Sequence, residues 1–245
     1  MTKTCLNPSC RKKFTPGHYG DRQLVCPTDG CRRWYKTYAT QTKKPPRGIP
    51  SEDFAKIKSE AVKGAPVYHA LLIAARESGM RKGELLGLTW GDIVDAAGKV
   101  RSTISLRGQW SEGVGFKATK TGASRTAYLP EPARGPLQNL YTGCMGSGRE
   151  KAGQRVFPLS ECGVWRWFEG LQRRLKIKNP ETGAPYRFHD LRHCVGLELV
   201  KAGRVDLAQK MLGHRNINTT MGYAVRSPEE ILDDVERVRR GINRG

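Results

Sequence analysis

His189-Asp190-Leu191-Arg192-His193, carried on by Leu212-Gly213-His214 and then by Thr219-Thr220-Met221-Gly222-Tyr223, is the stretch on which the reading of this chain turns. It reads as helix over about 189–201 and again over 205–212. A second stretch, Glu77-Ser78-Gly79-Met80-Arg81-Lys82-Gly83-Glu84-Leu85-Leu86-Gly87-Leu88-Thr89-Trp90-Gly91-Asp92-Ile93, closes one helix and opens another. The first of these helices runs from about Pro66 to Ser78, with Tyr68, Leu71, Leu72 and Ala75 on one face and Gly79 as its stop; a short helix follows around Lys82 to Leu88. Taken singly, the polar residues here have ordinary explanations. Arg81 caps a helix or forms a surface ion pair, His189 and His193 bracket Arg192 in a satisfied polar cluster, His214 closes a helix, and Tyr223 is a half-buried aromatic. It is their joint occurrence that needs a chemical reason.

Outward from these stretches the pattern stays helical, with one β-rich insert. Ser51 offers an N-cap to a helix through about Lys63, and further helices are expected at about 131–142 and 163–175. Val100 to Leu106 reads as a strand. Phe116-to-Thr119 with Arg125-to-Leu129 reads as a hairpin around Lys120-Thr121-Gly122-Ala123. A last helix begins at Ser227-Pro228-Glu229-Glu230, a capping box with proline in its first turn, and carries Ile231, Leu232, Val235 and Val238 at helical spacing. The expected fold class is α+β, mainly helical with a small antiparallel β-sheet.

The charge says what such a fold would meet. Of 245 residues 43 are Lys or Arg and 23 Asp or Glu, a formal net charge of +20. That imbalance points to a polyanion, nucleic acid first and an anionic membrane surface as the rival, although no lipidation signal or amphipathic anchor accompanies the charge. No apolar run is long enough to span a bilayer, and Met1-Thr2-Lys3-Thr4-Cys5 lacks the apolar segment of a secretory signal. A cytoplasmic, nucleoid-associated protein is expected, with its seven cysteines reduced or metal-bound.

Four of those cysteines are early: Cys5-x4-Cys10, fifteen residues, then Cys26-x4-Cys31. Pairs of thiolates on tight knuckles suit tetrahedral zinc, and so short a segment would draw its folding energy from the metal. Two disulfides, or plain buried cysteines, are the other readings. Residues 1–50 carry eleven basic and two acidic side chains. Arg32, Arg33 and Lys36 interleave with Trp34 and Tyr35, a mixture that can hold phosphates and stack beside a groove; a solvated basic face is the plainer reading. The order Cys-x-Asn-x-x-Cys, then Phe14, then Cys26-x4-Cys31-Arg32 resembles treble-clef fingers of the CGNR type, which implies DNA binding. The segmentation expected is a zinc-binding module over 1–40, a proline-stiffened linker over 41–50, and a single larger domain over 51–245.

Together, the two long stretches resemble the tyrosine recombinase (phage integrase) family. Its first box has the form sGlRxxELlxLxWxDi; its second runs HxLRH, then LGH, then a tyrosine nine residues past that histidine, which is the separation of His214 and Tyr223 here. The resemblance covers roughly residues 55–243 and fills six positions: Arg81, Lys120, His189, Arg192, His214 and Tyr223. It implies a site-specific recombinase that cuts and rejoins double-stranded DNA through a 3′-phosphotyrosyl bond, as a dimer or tetramer on DNA, in a phage or another mobile element. Arg81 and Arg192 would clamp the phosphate, since planar guanidinium forks match its non-bridging oxygens, with His214 donating a further bond. Tyr223 would be the nucleophile, His189 its proton acceptor and Lys120 the acid for the leaving 5′-oxygen. Glu84, three residues after Arg81, would orient it by a helix-face ion pair or be merely solvated, and His193 would support the site from behind. No metal or other cofactor takes part in the chemistry; zinc would be structural, in the N-terminal module. Typical members place a larger helical DNA-binding domain before the catalytic one. Here about fifty residues precede it, so the basic zinc module is expected to contact DNA in that domain's stead. A relaxing enzyme of the type IB topoisomerase kind, and a non-catalytic DNA-binding regulator, remain as alternatives.

Overall fold

A computed structural model describes residues 2–15, 25–33, 48–118, 124–145, 152–214, 216–224 and 235–236. The chain divides into two compact units, Met1–Pro45 and Pro46–Gly245. In the first, β1 (Lys3–Thr4) pairs antiparallel with β2 (Lys13–Phe14), with Lys3 opposite Phe14. Cys5, Phe14, Val25, Cys26 and Cys31 form its small buried cluster.

The second unit is built around one helix. After α1 (Ser51–Ala61) comes α2 (Pro66–Ser78), in which Ala70 through Ala75 are all buried. A helix apolar on every side belongs in the middle of a helical layer; α2 packs against α1, against α5 (Glu131–Met145) and against α7 (Asp190–Lys201). Proline at its first turn and left-handed Gly79 (φ 63°) at its end fix both of its limits where the sequence placed them. The remaining helices are α3 (Lys82–Gly87), α4 (Trp90–Ile93), α6 (Glu161–Arg174), α8 (Val205–Leu212) and α9 (Ile217–Met221). Leu71, Leu72, Leu85, Leu86, Phe157, Phe168, Leu171 and Leu191 share the main core. A satellite cluster of Val195, Val200, Ala208, Leu212 and Tyr223 lies where α8 meets α7.

The β-region departs from expectation. Phe116 to Ala118 does not pair with Arg125 to Tyr128. Instead β4 (Gly108–Ser111) turns back into β5 (Gly115–Ala118), with Gln109 opposite Lys117, while β3 (Thr103–Leu106) pairs with β6 (Arg125–Tyr128), with Ile104 opposite Ala127. The turn that decides this is Glu112-Gly113-Val114-Gly115. Both glycines have positive φ, 80° and 81°, which only glycine adopts cheaply. The expected turn residues 120–123, Lys120 among them, lie outside the described residues. Other boundaries shift by a turn or less. Ser51 is the first helical residue rather than the cap, which is Pro50 without a side-chain bond. α6 starts two residues earlier because the Ser160 hydroxyl accepts from the Gly163 N–H at 2.9 Å. The sequence did not announce α9, which Asn216 caps through its side-chain oxygen. Of the expected helix from 227, only Val235 and Glu236 are described.

Candidate active site

Arg81 stands at the N-cap of α3, and the helix start itself orients it. Glu84, three residues on, accepts the Arg81 backbone N–H at 2.7 Å, as a capping box requires. The same carboxylate accepts Arg81 Nη1 at 2.9 Å. Glu84 is buried, and from β6 Arg125 reaches it with Nε at 3.1 Å and Nη2 at 2.6 Å. Burial alone would raise the Glu84 pKa; the Arg125 and Arg81 bonds outweigh it and bring the pKa below its ordinary value.

Arg192, on α7, is 3 % exposed. Its Nη1 donates to the Gly79 carbonyl and its Nη2 to the Leu212 carbonyl, each at 2.5 Å. Those carbonyls belong to the ends of α2 and α8, where helices leave acceptors unpaired and carry partial negative charge. Burial, and next the nearby Arg81, lower the Arg192 pKa to about 10, so it stays a cation at neutral pH.

Tyr223 follows α9 and is buried. Its ring lies over α7 at Gly196, where a Cβ would come within 2.8 Å of ring carbon Cε1, so only glycine fits beneath it. The phenol oxygen is 2.8 Å from His193 Nδ1. Burial raises the Tyr223 pKa, against the pull of Arg192 and Arg81. The sequence reading gave the phenol's proton to His189. His189 instead meets His193 edge-on, with ring centroids 4.8 Å apart, and His193 makes the direct contact. His214 follows left-handed Gly213, with its ring stacked near Tyr223 at 6.2 Å between centroids. Its Nδ1 is 3.0 Å from the hydroxyl of buried Thr220. When that hydroxyl donates, the ring proton sits on Nε2.

Arg81, Glu84, Arg125 and His214 line a cleft of about 1030 Å³, along with Lys117, Ala118 and Ser124. Ala118 and Ser124 flank the segment that carries Lys120. Of the six expected catalytic residues, Arg81, Arg192, His214 and Tyr223 thus gather in one region with His193, and His189 adjoins it. Lys120 lies outside the described residues. Sequence reasoning missed Arg125, Thr220 and the direct contact of His193 with the Tyr223 hydroxyl. Arg125 opened the second strand of the expected hairpin, and only its pairing with buried Glu84 reveals its place.

Two of these histidines give the fold a pH dependence. Burial is the largest cause that lowers both His193 and His214 to about 4; His189 adds to the first, Arg192 and Arg81 to the second. Unfolded, both rings titrate near 6.5, so between these values the unfolded chain binds more protons and stability rises with pH. The contribution is complete above about pH 6.5 and is lost as pH falls toward 4. The urea midpoint should hold above about pH 6.5 and fall from there to about pH 5. A flat midpoint across that range would contradict the burial of neutral rings.

In the first unit, the sulfur atoms of Cys5, Cys10, Cys26 and Cys31 all lie within 4.8 Å of one another, with Cys10 and Cys26 at 3.6 Å. The Cys26 backbone N–H donates to Cys5 Sγ and the Asn7 amide to Cys31 Sγ, both at 3.4 Å. N–H donors aimed at sulfur suit thiolates, so the set can hold a metal ion. Arg32 and Arg33 are exposed beside Cys31, while Trp34, Tyr35 and Lys36 lie outside the described residues.

The sequence model of the phage integrase family matches residues 52–230. The chain belongs to this family of tyrosine recombinases. Among recombinases it is 32% identical over 162 residues to tyrosine recombinase XerD of Halalkalibacterium halodurans, covering 63% of this chain and 48% of that protein. It is 31% identical over 206 residues to a XerC-like tyrosine recombinase of Caldanaerobacter subterraneus, covering 76% and 52%. The chain thus spans about half the length of the curated relatives it matches. In fold it is similar to the Tn1549 transposon integrase solved with transposon right-end DNA (TM-score 0.62, 20% identity, 81% of this chain and 68% of that one). It is also similar to a λ integrase dimer bound to a core site (TM-score 0.55, 20% identity, 77% and 51%).

Proposed function

We propose that this recombinase-family chain cleaves and rejoins DNA strands, with Tyr223 as the nucleophile. The observation that carries the reading is the placement of the Tyr223 hydroxyl against His193, beside two arginines whose orientation is fixed by helix ends. In the forward step Tyr223 Oη bonds to the scissile phosphorus, and the bond from phosphorus to the 5′-oxygen breaks. The phenolic proton passes to an imidazole, and Lys120 protonates the leaving oxygen. The products are a 3′-phosphotyrosyl bond and a free 5′-hydroxyl. Rejoining reverses each transfer, so the linkage energy is kept and no nucleotide is consumed.

The geometry favours His193 as the first proton acceptor, with His189 behind it. Arg81, held by Glu84, and the guanidinium N–H groups of Arg192 beyond its two carbonyl bonds would meet the charge growing on the non-bridging oxygens. His214, with Thr220 on its Nδ1, would donate from Nε2. The natural substrate is double-stranded DNA, joined by two or four copies of the chain in the cytoplasm of a prokaryote, on behalf of a phage or another mobile element. The +20 charge and DNA-bound fold relatives support this.

The reaction is tested with nicked duplexes of randomised sequence, in which cleavage releases a short strand and traps the adduct. A protein–DNA band whose DNA maps to the Tyr223 peptide supports the reading. No band on any sequence favours a regulator. Relaxation of any supercoiled plasmid without sequence demand would favour a topoisomerase-like enzyme.

The four cysteines would hold one zinc ion that organises residues 1–40, joined by 41–50 to a catalytic domain over 51–245. Zn–S bonds of about 2.3 Å in a tetrahedron set sulfurs about 3.8 Å apart, within reach of the spacing here. Arg32, Arg33 and Lys36 would then bind phosphates. Chelation should unfold the first unit alone: its amides lose exchange protection while those of α2 and α7 keep theirs. Loss of protection in α2 as well would show that the metal supports both units.

A further inference from the structure

Arg125 belongs to no catalytic role assigned above, yet it joins three separate parts of the site. It rises from β6, the strand that follows the Lys120 segment. Nε and Nη2 grip both oxygens of Glu84, which in turn holds Arg81 by backbone and side chain. Nη1 is turned to the Met211 carbonyl at 3.5 Å, the long end of hydrogen-bond range. The stem of Arg125 then lies flat on Gly213, the residue before His214: a Cβ there would meet Arg125 Cδ at 2.7 Å and Cζ at 3.0 Å. Gly213 also has φ 62°, so both its backbone and the arginine above it require a glycine. One side chain therefore spans from the cap that aims Arg81 to the turn that aims His214.

We infer that Arg125 is a positioning residue that fixes the separation of Arg81 and His214 across the cleft. This rests on the proposed strand cleavage for its rate consequence, though not for its geometry. A point charge would neutralise Glu84, but it would not span both oxygens and the Gly213 turn. The planar fork with several fixed donors does so, which is why lysine is a poor substitute at such a site. Displacing two phosphate-facing groups by about an ångström costs on the order of 10²-fold in rate without touching affinity.

The experiment compares Arg125→Lys with Arg125→Gln in the full chain. Thermal stability, binding to a duplex and single-turnover cleavage are read on sequences that the wild-type protein captures. In Arg125→Gln buried Glu84 loses its main partner, so lowered stability is expected and a failure to fold agrees with its burial. Arg125→Lys keeps the charge. Stability near wild type, Kd within about twofold and cleavage reduced about 10- to 100-fold are expected for it. Recovery of wild-type cleavage by lysine would overturn the inference, because charge alone would then suffice. A loss of affinity that accounts for the whole loss of cleavage would overturn it too, since Arg125 would then be a DNA contact. If the wild-type protein captures no DNA, the cleavage reading fails by itself, and the inference is decided by NMR. The His214 imidazole resonances should move in Arg125→Lys while those of His69, on α2, stay; unmoved His214 resonances overturn it.

Discussion

Tyr223→Phe should lose all covalent capture of DNA and keep its fold and its affinity for duplexes. The reason lies in how the ring is held. Phenylalanine leaves the aromatic body among Val195, Val200, Ala208 and Leu212, over Gly196, and removes only the oxygen that meets His193. One lost hydrogen bond costs about 1 kcal/mol, a small fraction of a domain's stability. In the proposed reaction that oxygen is nevertheless the atom that bonds to phosphorus. Loss of a nucleophile from a concerted site costs on the order of 10⁶ in rate, which in a single-turnover gel is loss to background. Two measurements decide it: a melting curve close to the parent's, and no adduct on the captured sequences. An adduct that persists in Tyr223→Phe would place the nucleophile elsewhere and remove the basis of the proposed reaction.

How much of this was legible beforehand depended on the range of the forces involved. α2 was read to the residue because its limits are set locally, by a proline at one end and a left-handed glycine at the other. Tyr223 and Arg192 were singled out by the family resemblance, since the order of short motifs survives folding. Strand pairing was not legible. Phe116 and Arg125 were placed on the two strands of one hairpin but belong to different ribbons, because pairing follows the glycine turn at 112–115 and the burial of Ile104 and Ala127. The partner of the phenol was equally hidden. His189 and His193 are four residues apart, about one turn, and which of them meets Tyr223 depends on where α9 delivers the ring. Arg125 carried no signal of its own; its meaning comes from a carboxylate forty-one residues earlier.

In the proposed reaction Arg192 joins a structural and a catalytic function on one side chain, and substitution should separate them. A guanidinium 3 % exposed is costly to bury, and it is retained here by carbonyls at the ends of two helices. Arg192→Gln frees at least one of those carbonyls without a partner, and a buried unsatisfied acceptor costs about 1–3 kcal/mol. The urea midpoint should therefore drop. Cleavage should drop further, by about 10²- to 10³-fold, because a fixed donor to the developing phosphate charge disappears as well. Arg192→Lys restores charge and one carbonyl bond but not the fork, so it should recover more stability than rate. The measurement is single-turnover cleavage below the unfolding transition of each variant. If rate follows the folded fraction in both variants, Arg192 is a staple between α2 and α8 and no more. If Arg192→Lys folds like the parent and still cleaves poorly, the staple is how the fold holds a buried cation where the phosphate will come.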